Sequence, residues 1–448
     1  MLSTQDSRQM VERLVERAAA AGADAADALY VGERSSSVEV RLGELEQLGR
    51  SEGEDLGLRV FVGSRSATVS SSDLSADALD ALIERALAMA AQAPEDPFAG
   101  MAPSEQLELG ELASLDTIDP AEPDPAELRQ RALEAEQAAL AVAGVSNSTG
   151  ASASASASAI ALATSGGFAG AYQATGFSCS AGVIAGEGAS MQRDHAWHSA
   201  RHLAELDRAE EIGRLAGERA VARLDPVRPQ SGRMPVLFDP RVSASLLGHF
   251  AGAIGGAAVA RKSSFLQDKL GSQVFGEGVT IIDDPLRLRG LRSRPFDGEG
   301  VRVMTSEIVA GGVLRTWMAE SASARQLGIA PTGHAARGVG GSPGASPSNF
   351  YMAAGERSRA ELLAAFPEAI LVTELIGHGV SGVTGDYSRG AAGFLVSGGE
   401  IGAAVQEITI ASNLIEMFAT LEPGSDLELR RGIDAPTILV PEMTIASG

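Results

Sequence analysis

The chain has 448 residues and a formal net charge of −22, from 36 basic and 58 acidic side chains. Such an acidic chain is a poor partner for nucleic acid or for an anionic membrane surface. Its length predicts two to three domains and is ample for a large core. Aromatic residues make up only 4%, whereas glycine occupies 52 positions, so we expect a core of closely packed small side chains.

The cysteine content and the N-terminal sequence indicate the cellular compartment. Cys179 is the one cysteine, so no disulfide can form within the chain and no cysteine-rich metal site is available. This usage is typical of a reducing cytoplasm. Charged residues interrupt the N-terminus where a signal peptide needs an apolar core, and no apolar run reaches the roughly 18 residues of a membrane span. We therefore expect a cytoplasmic protein that binds neither nucleic acid nor membrane.

Hydrophobic periodicity predicts an α+β protein whose N-terminal domain, residues 1–225, combines helices with antiparallel sheets. Apolar stripes at helical spacing predict helices over residues 5–21, 75–93, 125–144 and 210–224. Short period-2 runs predict an antiparallel meander over residues 28–70, with a hairpin turn at Gly63-Ser64, and a second antiparallel sheet over residues 148–199.

Three histidines in this domain have a spacing that suggests a metal site. His195, His198 and His202 stand at i, i+3 and i+7, and a helix would place all three on one face. The preceding alternation of Ser and Ala over residues 151–159 indicates strands instead. On a strand, His195 and His198 point to opposite faces. We therefore predict a strand here and no metal cluster.

Residues 225–232, with two prolines and a glycine, predict a domain boundary. The C-terminal domain, residues 233–448, is predicted to be mostly β and barrel-like with a few helices. Asp239-Pro240 is expected to cap a Gly- and Ala-rich helix that runs to about Arg261, with small residues suited to packing across an interface. Residues 331–349 are almost all small or loop-forming and predict an irregular loop.

Residues 369–390 begin as an apolar run, pass through an acid and a histidine, and end in glycines. On a helix, Glu374 and His378 would face each other, either as part of a site or as an ordinary i, i+4 contact. Residues 377–382 also match GxGxxG. Turn-like residues follow this match, where a dinucleotide-binding fold needs a helix.

Three strings in the sequence resemble the TldD/PmbA family, and within it the PmbA branch, also called TldE. They are VTELIGHGVSGVTGDYSRGAAG at 372–393, MQRD at 191–194 and PEMTIA at 441–446. The resemblance covers essentially the whole chain. It implies a heterodimeric cytoplasmic metallopeptidase, TldD with TldE, that acts on unfolded or leader-type peptides. In such a pair the TldD-type subunit carries HExxxH, whose two histidines bind zinc together with a later cysteine, and whose glutamate is the general base.

On this chain, the resemblance assigns the HExxxH positions to residues 373–378. Thr373 then takes the place of the first ligand, Glu374 that of the base and His378 that of the second ligand, where this branch is expected to carry a Gln-like residue. Cys179 lies far in sequence from the third ligand position, near Gly432. Because a catalytic zinc takes three protein ligands, we expect no catalytic residue and no metal in this chain, with zinc in the TldD-type partner.

We therefore expect a non-catalytic subunit that completes a peptide-holding cavity and stabilises its TldD-type partner, or that forms a homodimer when the partner is absent. An extended peptide would pair with backbone amides of glycine-rich loops. The residues expected in these loops are Gly333, His334, Gly377, Gly379, Gly385, Asp386, Tyr387 and Arg389. Two alternatives are a self-sufficient metallopeptidase that uses Glu374 and His378 with further ligands, and a nucleotide-binding protein that uses residues 377–382.

Overall fold

The structure is a computed structural model and describes residues 1–447. The N-terminal part contains four helices and six strands: α1 Thr4–Ala20, α2 Ala76–Gln92, α3 Pro125–Leu140, α4 Ala209–Ala222, β1 Ala25–Arg41, β2 Glu44–Val62, β3 Arg65–Ser71, β4 Val145–Thr164, β5 Ala169–Ala185 and β6 Gln192–Ala200. The predicted helices and the hairpin turn at Gly63-Ser64 are confirmed. Ser3 caps α1, and Asp124 forms a capping box with Glu127 at the start of α3.

All six N-terminal strands form one antiparallel sheet in the order β3-β2-β1-β4-β5-β6. The prediction of a separate second sheet over residues 148–199 is therefore wrong. The two predicted sheets are joined by the pairing of β1 with β4, which runs from Asp27 opposite Thr164 to Val40 opposite Ala151. The middle of β1 is polar and lacks a strand-like hydrophobic alternation. It is held as a strand because its backbone hydrogen-bonds to a neighbour on each side.

The alternating Ser and Ala residues lie on β4, as predicted. Ala151, Ala153 and Ala159 are buried on the face that the helices cover. The serines point to the other face, where the Ser152 and Ser180 hydroxyls lie 2.9 Å apart. The helices also approach each other closely, since a Cβ atom added to Gly213 of α4 would lie 1.9 Å from the Ala135 carbonyl oxygen of α3. The N-terminal core is thus built from small side chains.

The described C-terminal part, up to residue 447, contains five helices and thirteen strands: α5 Pro240–Ala253, α6 Gly256–Ala260, α7 Ser321–Leu327, α8 Arg359–Leu363, α9 Leu414–Thr420, β7 Gly232–Phe238, β8 Ile281–Asp283, β9 Ser306–Ala310, β10 Val313–Leu314, β11 Ala335–Ala336, β12 Gly344–Ala345, β13 Phe350–Met352, β14 Glu368–Ile376, β15 Asp386–Ser397, β16 Glu400–Asn413, β17 Glu422–Pro423, β18 Ile433–Asp434 and β19 Ile438–Ser447. Strands β16, β15, β14, β7 and β19 pair in that order, and β16 also pairs with β19. These five strands close into a barrel, so the predicted fold class is confirmed.

The predicted long helix to Arg261 is interrupted between α5 and α6. The Gly256 amide donates to the Met318 carbonyl at 2.7 Å, and the Met318 amide donates to the Ile254 carbonyl at 3.0 Å. These two bonds replace helical ones and divide the helix. Phe250 of α5 lies in the large C-terminal core, with ring centroids 5.0 Å from Phe275 and 5.9 Å from Phe418.

Buried ion pairs fix the N-terminal sheet against the C-terminal part. Arg59 of β2 contacts Asp27 of β1 at 2.5 Å and Glu299 at 3.2 Å, while Arg337 contacts Asp27 at 2.5 Å. Asp27 is fully buried. The two arginines and two carboxylates compensate one another, which stabilises this buried cluster because a buried charge left unpaired costs several kcal/mol. The network positions the two parts around the cleft described next.

Candidate functional site

A cleft of about 1080 Å³ lies between the N-terminal and C-terminal parts. It is lined by β6 and α4 on one side, and by the start of α5, the end of β14 and residues 426–431 on the other. Eight lining residues are arginines: Arg193, Arg214, Arg219, Arg223, Arg241, Arg359, Arg430 and Arg431. Seven are acids: Asp194, Asp207, Glu211, Asp239, Glu374, Asp426 and Glu428. The cleft is therefore richer in cations than the chain as a whole.

Thr373 and Glu374 reach the cleft through a β-bulge in β14. Val372 pairs with Gly393 and Glu374 pairs with Ala392, so Thr373 is the extra residue. The backbones approach so closely that a Cβ atom on Gly393 would lie 1.9 Å from the Leu371 carbonyl oxygen. Thr373 is buried and its hydroxyl has no hydrogen-bond partner within residues 1–447.

The expectation that Glu374 and His378 face each other on a helix is wrong. Glu374 lies on β14, and His378 lies in the exposed loop that follows this strand. The bulge, and not a helix, presents Glu374 to the cleft. Its carboxylate contacts Arg223 at 2.5 Å, and in the described part of the chain it forms no ion pair with His378. The comparison of residues 373–378 with a helical HExxxH therefore fails on backbone geometry.

Ion pairs run across the cleft from Glu374. Arg223 also lies 3.6 Å from Asp194, which Arg241 contacts at 3.1 Å. Asp239 lies 3.5 Å from Arg241 and 2.8 Å from Arg359. Burial acts to raise the pKa of Asp239, but Arg359 and Arg241 hold it below its usual value. The remaining paired acids are Asp426, which lies 3.8 Å from Arg359, and Asp207 and Glu428, which both contact Arg430.

Three cleft arginines, Arg193, Arg219 and Arg431, have no carboxylate within ion-pair distance among residues 1–447, and the last two are partly buried. Arg219 donates to the His195 carbonyl at 3.1 Å, and Arg431 donates to the Pro240 carbonyl at 3.1 Å. Arg431 also lies over the Trp197 ring, 5.7 Å from its centroid. Burial lowers the pKa of Arg219 to about 10, and the nearby charge of Arg241 adds to this effect. Sequence reasoning missed Arg219 and Arg431, although the MQRD string lies next to them on β6.

The loop between β14 and β15, together with the start of β15, contains six of the eight predicted groove residues. Gly379 packs against the backbone of Ser388, whose amide donates to the Gly379 carbonyl at 2.7 Å. Asp386 accepts from Thr384 at 2.6 Å, and this hydrogen bond lowers the pKa of its carboxyl. Gly377 and Gly385 both have positive φ, at 78° and 81°, which favours glycine there.

Tyr387 and Arg389, at the base of this loop, meet His249 of α5. The His249 and Tyr387 rings lie 6.1 Å apart edge to face. His249 Nε2, Tyr387 Oη and Arg389 Nε are buried and have no hydrogen-bond partner among the described residues. Burial lowers the pKa of His249, as do the charges of Arg389 and His378. These three atoms are therefore buried polar groups left unsatisfied at the base of the loop.

Gly333 and His334 lie elsewhere. His334 is 4% exposed, with Nε2 3.4 Å from Asp283 and Nδ1 2.9 Å from the Thr332 hydroxyl. It belongs to the C-terminal core rather than to an accessible groove, which corrects its prediction as a peptide-contacting residue. Its Nε2 has no hydrogen-bond partner among residues 1–447.

A catalytic zinc does not fit the donor residues among residues 1–447. Residues 1–447 contain no group of three or more His, Cys, Asp or Glu side chains able to hold a metal ion. Glu374 is paired with Arg223, and the charge of Arg389 near His249 opposes a cation there. Cys179 is buried on β5, where burial raises the pKa of its thiol to about 11. His195 and His198 lie on β6, as predicted, and His202 follows this strand. Each lies near a different acid, which is Asp194, Asp207 and Asp116 respectively.

The GxGxxG match also lacks its structural context. Residues 377–385 form a loop that leads directly into the strand β15, and the helix needed for a dinucleotide site does not follow. The helices formed by the described residues include none that is both long and apolar enough to cross a membrane.

Three consecutive domain profiles match the chain. They are the PmbA/TldA metallopeptidase domain 1 over residues 26–90, the central domain over residues 118–224 and the C-terminal domain over residues 231–447. The chain therefore belongs to the PmbA/TldD metallopeptidase family.

Full-length relatives assign the branch within this family. The chain is 38% identical to the metalloprotease PmbA of Escherichia coli O157:H7, over 98% of this chain and 96% of the relative. It is 36% identical to a metalloprotease PmbA homolog of Haemophilus influenzae, over 99% and 96% of the two chains. The crystal structure of TldE from Thermococcus kodakarensis has the same fold, with a TM-score of 0.86 at 19% identity over 98% of this chain and 100% of that one. Within the family, the chain belongs to the PmbA, or TldE, branch.

Proposed function

We propose that this chain is the non-catalytic TldE-type subunit of a cytoplasmic two-subunit peptidase, and that its partner is a zinc-bearing TldD-type subunit. One observation carries the proposal: the chain's metal-binding side chains are dispersed, and no three of them converge within residues 1–447. Catalytic zinc sites use three protein ligands and one open position. A subunit of a metallopeptidase family that lacks such a set needs a partner for catalysis.

The second role in this proposal is to hold an unfolded or leader-type peptide against the partner. The base of the loop between β14 and β15 supports it, because polar atoms of His249 on α5 and of Tyr387 and Arg389 on β15 have no hydrogen-bond partner among the described residues. A peptide carbonyl or a partner side chain would satisfy these atoms, and the cost of leaving them unpaired, about 1–3 kcal/mol each, would then be recovered. The same face would allow a homodimer when the TldD-type chain is absent.

The test is metal content by mass spectrometry with peptide cleavage measured in parallel, for the chain alone and mixed with its TldD-type partner. We expect no zinc and no cleavage alone, and about one zinc per pair with cleavage in the mixture. Stoichiometric zinc in the chain alone would overturn the proposal in favour of the self-sufficient metallopeptidase.

A variant separates the two hypotheses within the complex. Glu374→Gln should leave cleavage by the pair within about threefold, because we expect Glu374 only to pair with Arg223. Loss of a general base typically costs 10²- to 10⁴-fold. The matched control is the same Glu→Gln change in the HExxxH motif of the TldD-type subunit, which should abolish cleavage. A loss with Glu374→Gln as large as in that control would assign the base to this chain.

A further inference from the structure

The charges of the interdomain cleft do not cancel locally. Six of its seven acids lie within ion-pair distance of cleft arginines, and the seventh, Glu211, is exposed on α4. Arg193, Arg219 and Arg431 have no carboxylate within ion-pair distance among residues 1–447. The cleft therefore keeps surplus positive charge although the whole chain carries −22.

Arg219 and Arg431 are the two surplus cations that lie deepest. Both are partly buried, and burial lowers the pKa of each guanidinium. Both line the same cleft along β6, where Arg219 donates to the His195 carbonyl and Arg431 lies over the ring of Trp197, two residues further on. Two partly buried cations in one cleft repel each other and have lost part of their hydration, and a bound anion would offset both effects. Arginine suits this role because it binds a carboxylate through two parallel hydrogen bonds.

An apolar wall stands beside these cations. Trp197 is 41% exposed and Leu215 is 38% exposed, and both line the cleft. A ligand that satisfies this surface has an anionic group next to an apolar side chain. The volume of about 1080 Å³ is at the upper end of the range for small-ligand sites, so several residues of a peptide can enter.

From this arrangement we propose that the cleft captures the C-terminal carboxylate of a peptide, held by Arg219 and Arg431, with an apolar last side chain against Trp197. The inference rests on the proposed function and deepens it, because it names the end of the peptide that this subunit holds. Capture of a terminal carboxylate is a known mode of peptide recognition.

Trp197 provides the readout. The chain has two tryptophans, and Trp317 is 5% exposed in the C-terminal core, so Trp317→Phe isolates the cleft signal. The full chain carrying this change is titrated with acetyl-Ala-Ala-Ala-Leu as the free acid, as the C-terminal amide, and with inorganic phosphate. We expect a saturable fluorescence change with the acid and at least about tenfold weaker binding of the amide, the loss typical of a hydrogen bond to a charged group. Equal affinities for acid and amide, or tighter binding of phosphate than of the acid, would overturn the proposal.

A pair of variants tests the residues. Arg219→Gln should weaken binding of the acid at least tenfold without lowering Tm, because it removes a crowded cation that has no carboxylate partner. Arg214→Gln is the control, since Arg214 lies on the cleft rim and pairs with Glu218 at 2.6 Å; its affinity should match that of the parent. A Tm loss with Arg219→Gln, or unchanged affinity, would make Arg219 a structural residue and sink the proposal. The chain is tested alone, so failure here is separable from failure of the metal-content test.

Discussion

Two glycines on different helices should respond oppositely to the same substitution. In α4, a Cβ atom on Gly213 would lie 1.9 Å from the Ala135 carbonyl oxygen and 2.8 Å from the Ala135 carbonyl carbon. These are backbone atoms of α3, so the contact can be relieved only by moving one helix away from the other. In α5, a Cβ atom on Gly248 would meet no atom within 4 Å.

The magnitudes follow from these contacts. Overpacking a tightly packed contact typically costs about 1–3 kcal/mol and occasionally more, which exceeds the roughly 1 kcal/mol that Ala gains over Gly in a helix. Because the 1.9 Å approach puts Gly213→Ala at the upper end of this range, it should destabilise the chain by about 2 kcal/mol net. Gly248→Ala has no steric cost and should stabilise it by about 1 kcal/mol.

Urea denaturation followed by far-UV circular dichroism measures both variants against the parent chain. If Gly213→Ala were as stable as the parent, helices α3 and α4 would not pack as closely as described. If Gly248→Ala lost stability, the exposed face of α5 would have to contact another group, such as a second copy of the chain. A gain in stability with weaker association to the TldD-type subunit would instead place this face of α5 at the interface.

Three further outcomes are expected. Arg59→Met should lower the free energy of unfolding by about 3–5 kcal/mol, because the buried Glu299 loses its cationic partner. As a control, Arg17→Met removes an exposed ion pair with Asp80 and should change the free energy of unfolding by less than about 1 kcal/mol. Burial raises the pKa of the Asp297 carboxyl to about 6, above its value in the unfolded chain. Ionisation of Asp297 therefore costs more in the folded chain, and the free energy of unfolding falls as pH rises through this range. From pH 5 to 7, urea titrations should show a loss of about 1.4 kcal/mol for the parent relative to Asp297→Asn. Arg389→Gln should raise KM for peptide cleavage by the pair severalfold while leaving Tm unchanged or higher, and an unchanged KM would remove Arg389 from the groove.

The individual helices and strands were predicted from the sequence better than the pairing between strands. Helices such as α1 and α3 have apolar stripes and caps that are local signals, so their limits agree with prediction to within a few residues. The single N-terminal sheet could not be predicted, because the pairing of β1 with β4 joins residues more than a hundred positions apart. The polar centre of β1 also gives no local sign of being a strand.

The candidate site was predicted only in part. Glu374 does line the cleft, but residues 373–378 were placed on a helix, and the bulge at Thr373 is set by pairing with β15 rather than by local sequence. The cleft arginines come from β6, α4, α5, α8 and the segment before β18, so no spacing along the chain could bring them together. Arg219 and Arg431 belong to no sequence motif, and only their surroundings in the folded chain indicate a role for them.

The position of β1 inside its sheet has a consequence for synthesis of the chain. One edge of β1 can pair with β2 at once, whereas the other waits for β4, which follows about a hundred residues later. At 5–20 residues per second, that edge stays open on the ribosome for roughly 5–20 s. An open strand edge is a template for aggregation, and charged or polar residues suppress it. The Glu-Arg-Ser-Ser-Ser run at residues 33–37, which concealed the strand in the sequence, thus protects the nascent chain until its neighbour is made.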